Sequence, residues 1–120
     1  MATQPAPLVL PGLMQDDFQL TLQYLLRRMR MLPGAGGVVT LTEQGPTRAS
    51  FGEVVERIDR LAAALAALGL GRGERAATFA FNSQRHFECY MAIPCSGAVL
   101  HTVNPRLFAD QIVYVINHAG

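Results

Sequence analysis

Residues 76–120 read AATFAFNSQRHFECYMAIPCSGAVLHTVNPRLFADQIVYVINHAG, and this stretch decides the fold. Ala76 to Phe81 is a near-continuous apolar run of strand length, the pattern of a strand covered on both faces of a sheet. Asn82 or Ser83 supplies a helix cap, and a helix follows to about Ser96 with Phe87, Tyr90, Met91 and Pro94 spaced along it. Pro94 removes one backbone bond late in that helix, and Gly97 ends it. Ala98 to Val103 is a second apolar strand, which Asn104-Pro105 terminates by forcing an extended turn. Residues 108–118 form a last helix with Ile112, Val115 and Ile116 inward. Strand, helix, strand, helix with right-handed crossovers gives parallel strands. The fold class is therefore α/β, a partial layered unit with a mostly parallel sheet.

Upstream, Ser50-Phe51-Gly52-Glu53 is a capping box, in which the Ser50 hydroxyl accepts from the Glu53 amide and the Glu53 carboxylate reaches back. Val54, Ile58, Leu61, Leu65 and Leu68 then repeat at helical spacing, and Gly69 stands where a left-handed terminator is needed. The glycines of Gly69-Leu70-Gly71-Arg72-Gly73 invite a nucleotide-loop reading. They leave a helix and enter a strand, the reverse of a dinucleotide fingerprint, and so read as a helix stop and turn. Val38 to Thr42 and Arg48 to Phe51 form a short hairpin around Gln44-Gly45-Pro46. Leu22 to Leu32 is a helix with Leu22, Leu25, Leu26, Met29 and Leu32 on one stripe and Arg27, Arg28 and Arg30 toward its C-terminal half. Residues 1–17, Pro-rich and then acidic, read as an extended arm, and residues 18–120 as the body.

Composition narrows the function. Half of the 120 residues are hydrophobic and only 16% are charged, against about 25% in ordinary domains, which excludes disorder and suits a sheet with covered faces. A net charge of +1 argues against nucleic acid as a partner. All ten basic residues are arginine, so a lysine-bearing phosphate loop and a lysine Schiff base are excluded within these residues. Cys89 and Cys95 make no disulfide framework and point to a cytoplasmic setting. No apolar run is long enough to span a bilayer, and the first residues lack the basic start and apolar core of a signal peptide.

The particular residues go further than the pattern. Arg85-His86-Phe87-Glu88, the proline of Ala92-Ile93-Pro94, the block from Gly97 to Leu107 and Ile116-Asn117-His118-Ala119 resemble the AMP-forming acyl-CoA synthetases, and in particular their fatty-acid–CoA ligase branch. The likeness runs over residues 18–120 and is strongest from Ala76 onward. It implies the first βα units of the large N-terminal, adenylate-forming domain, an incomplete part of it. It also implies a parent reaction that uses ATP and magnesium to make an acyl-adenylate and then a CoA thioester, with fatty acid and CoA as substrates. The family's phosphate-gripping loop, adenine and ribose segments and catalytic lysine have no counterpart here. No catalytic, cofactor-binding or metal-binding residue is therefore assigned, and the chain alone is expected to be inactive. Two departures from the family pattern are Phe108-Ala109, where a Ser-Pro pair usually opens the last helix, and Cys95, where glycine is usual.

Other residues that could carry chemistry have plainer readings. His86, Cys89, Cys95 and His101 do not match zinc-ligand spacing and read as buried thiols and structural histidines. Arg85 and Glu88 read as a helix-face ion pair, and Arg106 as a solvated or ion-paired cation. A non-catalytic interaction module is the alternative, with the arm and helix 22–32 docking on a second copy or on a full-length synthetase. A sheet ending on a helix would also leave an unpaired strand edge and an open apolar face.

Overall fold

The computed structural model describes residues 20–120. The expected arm at 1–17 lies outside them. The elements are α1 (Leu22–Met31), β1 (Gly37–Thr42), β2 (Gly45–Ser50), α2 (Phe51–Ala67), β3 (Arg75–Phe79), α3 (Gln84–Cys95), β4 (Val99–Val103) and α4 (Ala109–Ala119). The fold is mixed α/β. β3 and β4 pair in parallel from Arg75 opposite Val99 to Phe79 opposite Val103, while β1 and β2 form a separate antiparallel hairpin.

The core lies between helices and not in the sheet. Val54, Val55 and Ile58 of α2 meet Met91 and Ala92 of α3 and Leu26 and Met29 of α1. Val54 and Ala92 are fully enclosed. Ala92, with a single methyl, lets α2 approach α3 closely, and the alternation of small and branched residues fills the space between them. Ile93, Ala98 and Val103 are buried outside this cluster.

Both long helices end in the same way. After α2, Gly69 adopts φ of +95°, the Leu70 amide donates to the Leu65 carbonyl, and the Gly69 amide donates to that of Ala66. After α3, Gly97 adopts φ of +86°, and the Ala98 and Gly97 amides donate to the carbonyls of Ile93 and Pro94. These are two Schellman terminations, which satisfy the last carbonyls and turn the chain into a strand. The Gly73 amide donates to the Gly97 carbonyl at 2.8 Å, tying the entry of β3 to the entry of β4.

At the N-termini, the Ser50 capping box on α2 forms as expected. Ser83, and not Asn82, caps α3 by accepting from the His86 amide. α4 has only half a box. Phe108 offers no acceptor, but its own amide donates to the Gln111 side chain at 3.1 Å.

Several expectations need correction. The hairpin turns at Glu43-Gln44; Gly45 and Pro46 already pair in β2 with Thr42 and Leu41, and Phe51 opens α2. Proline is tolerated there because a two-stranded hairpin leaves each strand a free edge. β3 is not covered on both faces, since its residues alternate between half-buried and exposed. Leu22, Leu25, Leu32, Leu68 and Ile116 are exposed, because each helix packs on a narrower stripe than its full apolar pattern.

α1 is clasped to α2 by a bidentate ion pair, with the Arg30 guanidinium on both Asp59 oxygens. Hydrogen bonding by Arg30 holds the Asp59 carboxyl below its usual value of 3.8, against a smaller opposing effect of burial. A carboxylate depressed by folding stabilises above its unfolded value and loses that contribution as pH falls through its folded value. Acidification below about pH 4 should therefore loosen α1, by no more than about 1 kcal/mol because both groups are half exposed. Asp59→Asn should flatten this part of the acid limb in urea titrations at graded pH; an unchanged limb would show that the clasp adds nothing.

Candidate functional site

In open α/β sheets, ligands sit beyond the carboxyl ends of parallel strands. At that end of β3 and β4 lies an open cleft of about 480 Å³ walled by Phe81, His86, Tyr90, Asn104 and Arg106. Asn104-Pro105 stops β4 here, and the Asn104 side chain accepts from the Arg106 amide at 3.0 Å, holding the loop in a tight turn. That turn places the Arg106 guanidinium 5.7 Å from the centre of the Phe81 ring. Arg106 is exposed, as expected of a solvated arginine, and it also stands as a cation over an aromatic face.

His86 forms the back wall. It is 6% exposed, its Nε2 lies 3.0 Å from the Thr78 hydroxyl of β3, and its ring is tilted against Tyr90 at 4.9 Å. Its Nδ1 is enclosed without a hydrogen-bond partner among the described residues. The contact with Thr78 makes it a strut between α3 and β3, in keeping with a structural histidine.

Of the other residues weighed from sequence, Cys95 lies in a second groove between α1, α2 and α3, beside Arg30 and Asp59. Its carbonyl accepts from the Gln23 side chain at 3.1 Å. Burial pushes both thiols above their usual value; at Cys89 the neighbouring Glu88 adds to this, and at Cys95 the Arg30 charge opposes it. Thiols so shifted are poor nucleophiles at neutral pH. His101 stands on β4, half buried. The structure brings His86 and Arg106 to one cleft, and among the described residues no three His, Cys, Asp or Glu side chains converge as a metal site would require.

The expected pairing of Arg85 with Glu88 is not formed. Glu88, 4% exposed, accepts from the Arg57 Nε at 2.6 Å and from the Gln84 side chain at 2.8 Å. The Gln84 backbone N–H in turn donates to the Thr40 hydroxyl of the hairpin. One buried carboxylate thus joins α2 and α3, and Gln84 carries the link on to β1. The sequence held a sign of this. Glu88, Met91, Ala92 and Cys95 share one stripe of α3, and a charge on a buried stripe calls for a partner from another element.

Chemically, the cleft offers one guanidinium, the His86 imidazole, the aromatic rings of Phe81 and Tyr90, and the polar side chains of Asn82, Thr102 and Asn104. It does not fit a triphosphate with its magnesium, which would need several cations or carboxylates converging. The sequence profile of the family described as "AMP-binding enzyme" matches residues 29–120. A long-chain-fatty-acid–CoA ligase from Thermus thermophilus is 46% identical over 110 residues, which is 91% of this chain and 20% of that protein. A medium-chain-fatty-acid–CoA ligase from Ectopseudomonas oleovorans is 45% identical over 102 residues, 84% of this chain and 19% of that protein. Among solved structures, IdnL1 superposes with a TM-score of 0.72 at 26% identity, over 81% of this chain and 20% of that one. The chain spans about a fifth of the length of the curated relatives it matches.

Arg57→Ala strands the Glu88 charge and should cost about 1–3 kcal/mol in urea unfolding. Glu88→Gln in the same chain should recover part of the loss. No loss on Arg57→Ala would mean that solvent or Gln84 alone satisfies the carboxylate.

Proposed function

Because the chain belongs to the AMP-binding enzyme family, we propose that it serves as the opening part of a medium- or long-chain fatty-acid–CoA ligase. That enzyme forms an acyl-adenylate from fatty acid and ATP, and then passes the acyl group to CoA. The observation that carries this reading is the likeness to two fatty-acid–CoA ligases, at 46% and 45% identity over most of the chain. The described residues contribute scaffolding to such a reaction. They set the first parallel strands, stop β4 at Asn104-Pro105 and shape the cleft rim, while ATP, magnesium and CoA are held by residues elsewhere in the ligase. On its own the chain has no catalytic activity in this reading. Two thiols that form no disulfide suit a cytoplasmic setting.

A second reading is an interaction module that pairs with a second copy or with a full-length synthetase through its N-terminal residues. What favours it is α1, where Leu22, Leu25 and Met31 remain exposed beside a basic last turn.

Pyrophosphate release with fatty acids of graded length, in the presence of ATP and CoA, distinguishes the two. The 120-residue chain alone should be silent. A chimera in which it replaces the matching fifth of the Thermus ligase should regain fatty-acid-dependent turnover. A folded but inactive chimera would contradict the ligase reading, and turnover by the chain alone would contradict its scaffolding role.

A further inference from the structure

Where the β1–β2 hairpin meets the start of α3, an open pocket of about 290 Å³ is lined by Thr40, Thr42, Thr47, Arg57, Ser83 and Arg85, together with Gln84. The hairpin register explains the threonines. Thr40 stands opposite Thr47, and Thr42 follows two residues on, so all three share one face of the ribbon.

A count of donors and acceptors shows what this pocket lacks. A hydroxyl has one hydrogen to give. Thr42 gives its hydrogen to the Gly45 carbonyl at 2.7 Å, and Thr47 points its own at the Thr40 carbonyl at 3.4 Å. The Thr40 and Ser83 oxygens instead accept, from the backbone N–H groups of Gln84 at 2.8 Å and His86 at 3.3 Å. Among the described residues neither hydroxyl donates, so both hydrogens are unspent. Arg57 spends only its Nε, on Glu88 at 2.6 Å, which leaves its two terminal nitrogens without an acceptor among the described residues. Arg85 is exposed, and its side chain makes no ion pair or hydrogen bond among them. No carboxylate lines the pocket among the described residues. Glu88 offsets the Arg57 charge from behind, and the Arg85 charge stays uncompensated. The groove beside α1 differs on this point, because there Asp59 takes up the Arg30 guanidinium.

We propose that this pocket is a binding site for a phosphate group. Arg85 and the terminal nitrogens of Arg57 meet its charged oxygens, and the Thr40 and Ser83 hydroxyls donate to the others. The donors come from β1, from α2 and from the start of α3, so they approach the anion from several sides. That arrangement suits a tetrahedral oxyanion better than a planar carboxylate, which one guanidinium alone can satisfy. The site shares no residue with the cleft at the ends of β3 and β4, and it does not rest on the ligase reading.

The probe is inorganic phosphate, titrated into the 120-residue chain while the backbone amide signals of Thr40, Gln84 and Arg85 are followed by NMR. Sodium chloride at matched ionic strength is the reference. Phosphate should give saturable shifts at these amides, and chloride should not. Arg85→Ala should weaken binding at least about tenfold, as loss of a hydrogen bond to a charged group does, and Arg85→Lys should weaken it less. Arg28→Ala, which removes another exposed arginine on α1, should leave the affinity unchanged. Circular dichroism of these variants should match the parent, because neither side chain is buried. Glycerol phosphate in place of the free ion tells the two sources apart. Equal affinity identifies a phosphomonoester as the ligand, and its exclusion identifies the free ion; either upholds the site. Equal responses to phosphate and chloride would overturn the proposal, as would binding indifferent to Arg85→Ala or weakened as much by Arg28→Ala. Phosphate affinity lost on Arg106→Ala and kept on Arg85→Ala would place the anion at the strand ends, and the proposal would fail.

Discussion

The packing of α2 against α3 is the contact on which the other elements depend. Val54 and Ile58 project from α2 onto the surface that Ala92 and Met91 present on α3, and burial of side chains of this size stabilises by about 1.5–3 kcal/mol each. α1 closes the same cluster with Leu26 and Met29. Because α2 leads into β3, and α3 lies between β3 and β4, fixing these two helices fixes where both strands begin. The two Schellman turns carry that placement into the sheet. The hydrogen bond from Gly73 to Gly97 then joins the turns themselves.

Polar connections follow the same geometry. Glu88 is buried where α2 and α3 meet, and its pairing with Arg57 and Gln84 removes a charge that would otherwise oppose that packing. Thr40 extends the link to the hairpin through the first turn of α3. The Arg30–Asp59 clasp is more exposed and secures α1 to the outside of the cluster. The scaffold is therefore firmest around the helices and most open at β3–β4, where Phe79 and Val99 face outward.

Much of this was legible in the sequence. The Ser50 capping box, the glycine terminators at Gly69 and Gly97, and the parallel strands within residues 76–103 all appear as read, because each is written in local residue chemistry. The misreadings concern relations between distant residues. Arg57 and Glu88 stand 31 positions apart, so helix spacing favoured the nearer Arg85. The apolar run of β3 suggested cover on both faces, but sequence periodicity cannot say whether a covering element lies within the same 120 residues. The hairpin turn moved to Glu43-Gln44 because the register brings Gly45 and Pro46 into pairing with Thr42 and Leu41. The cleft was visible only in its parts. Asn104-Pro105 marked its rim, while the approach of Arg106 to Phe81 depends on both strands ending side by side.

Native-state hydrogen exchange tests most directly whether the helical cluster organises the chain. The amides of α2 and α3 around Val54, Ile58 and Ala92 should be the slowest to exchange, with those of β3 and β4 opening at distinctly lower free energy. Protection in β3–β4 equal to that in α2 and α3 would contradict the account and place the organising core in the sheet.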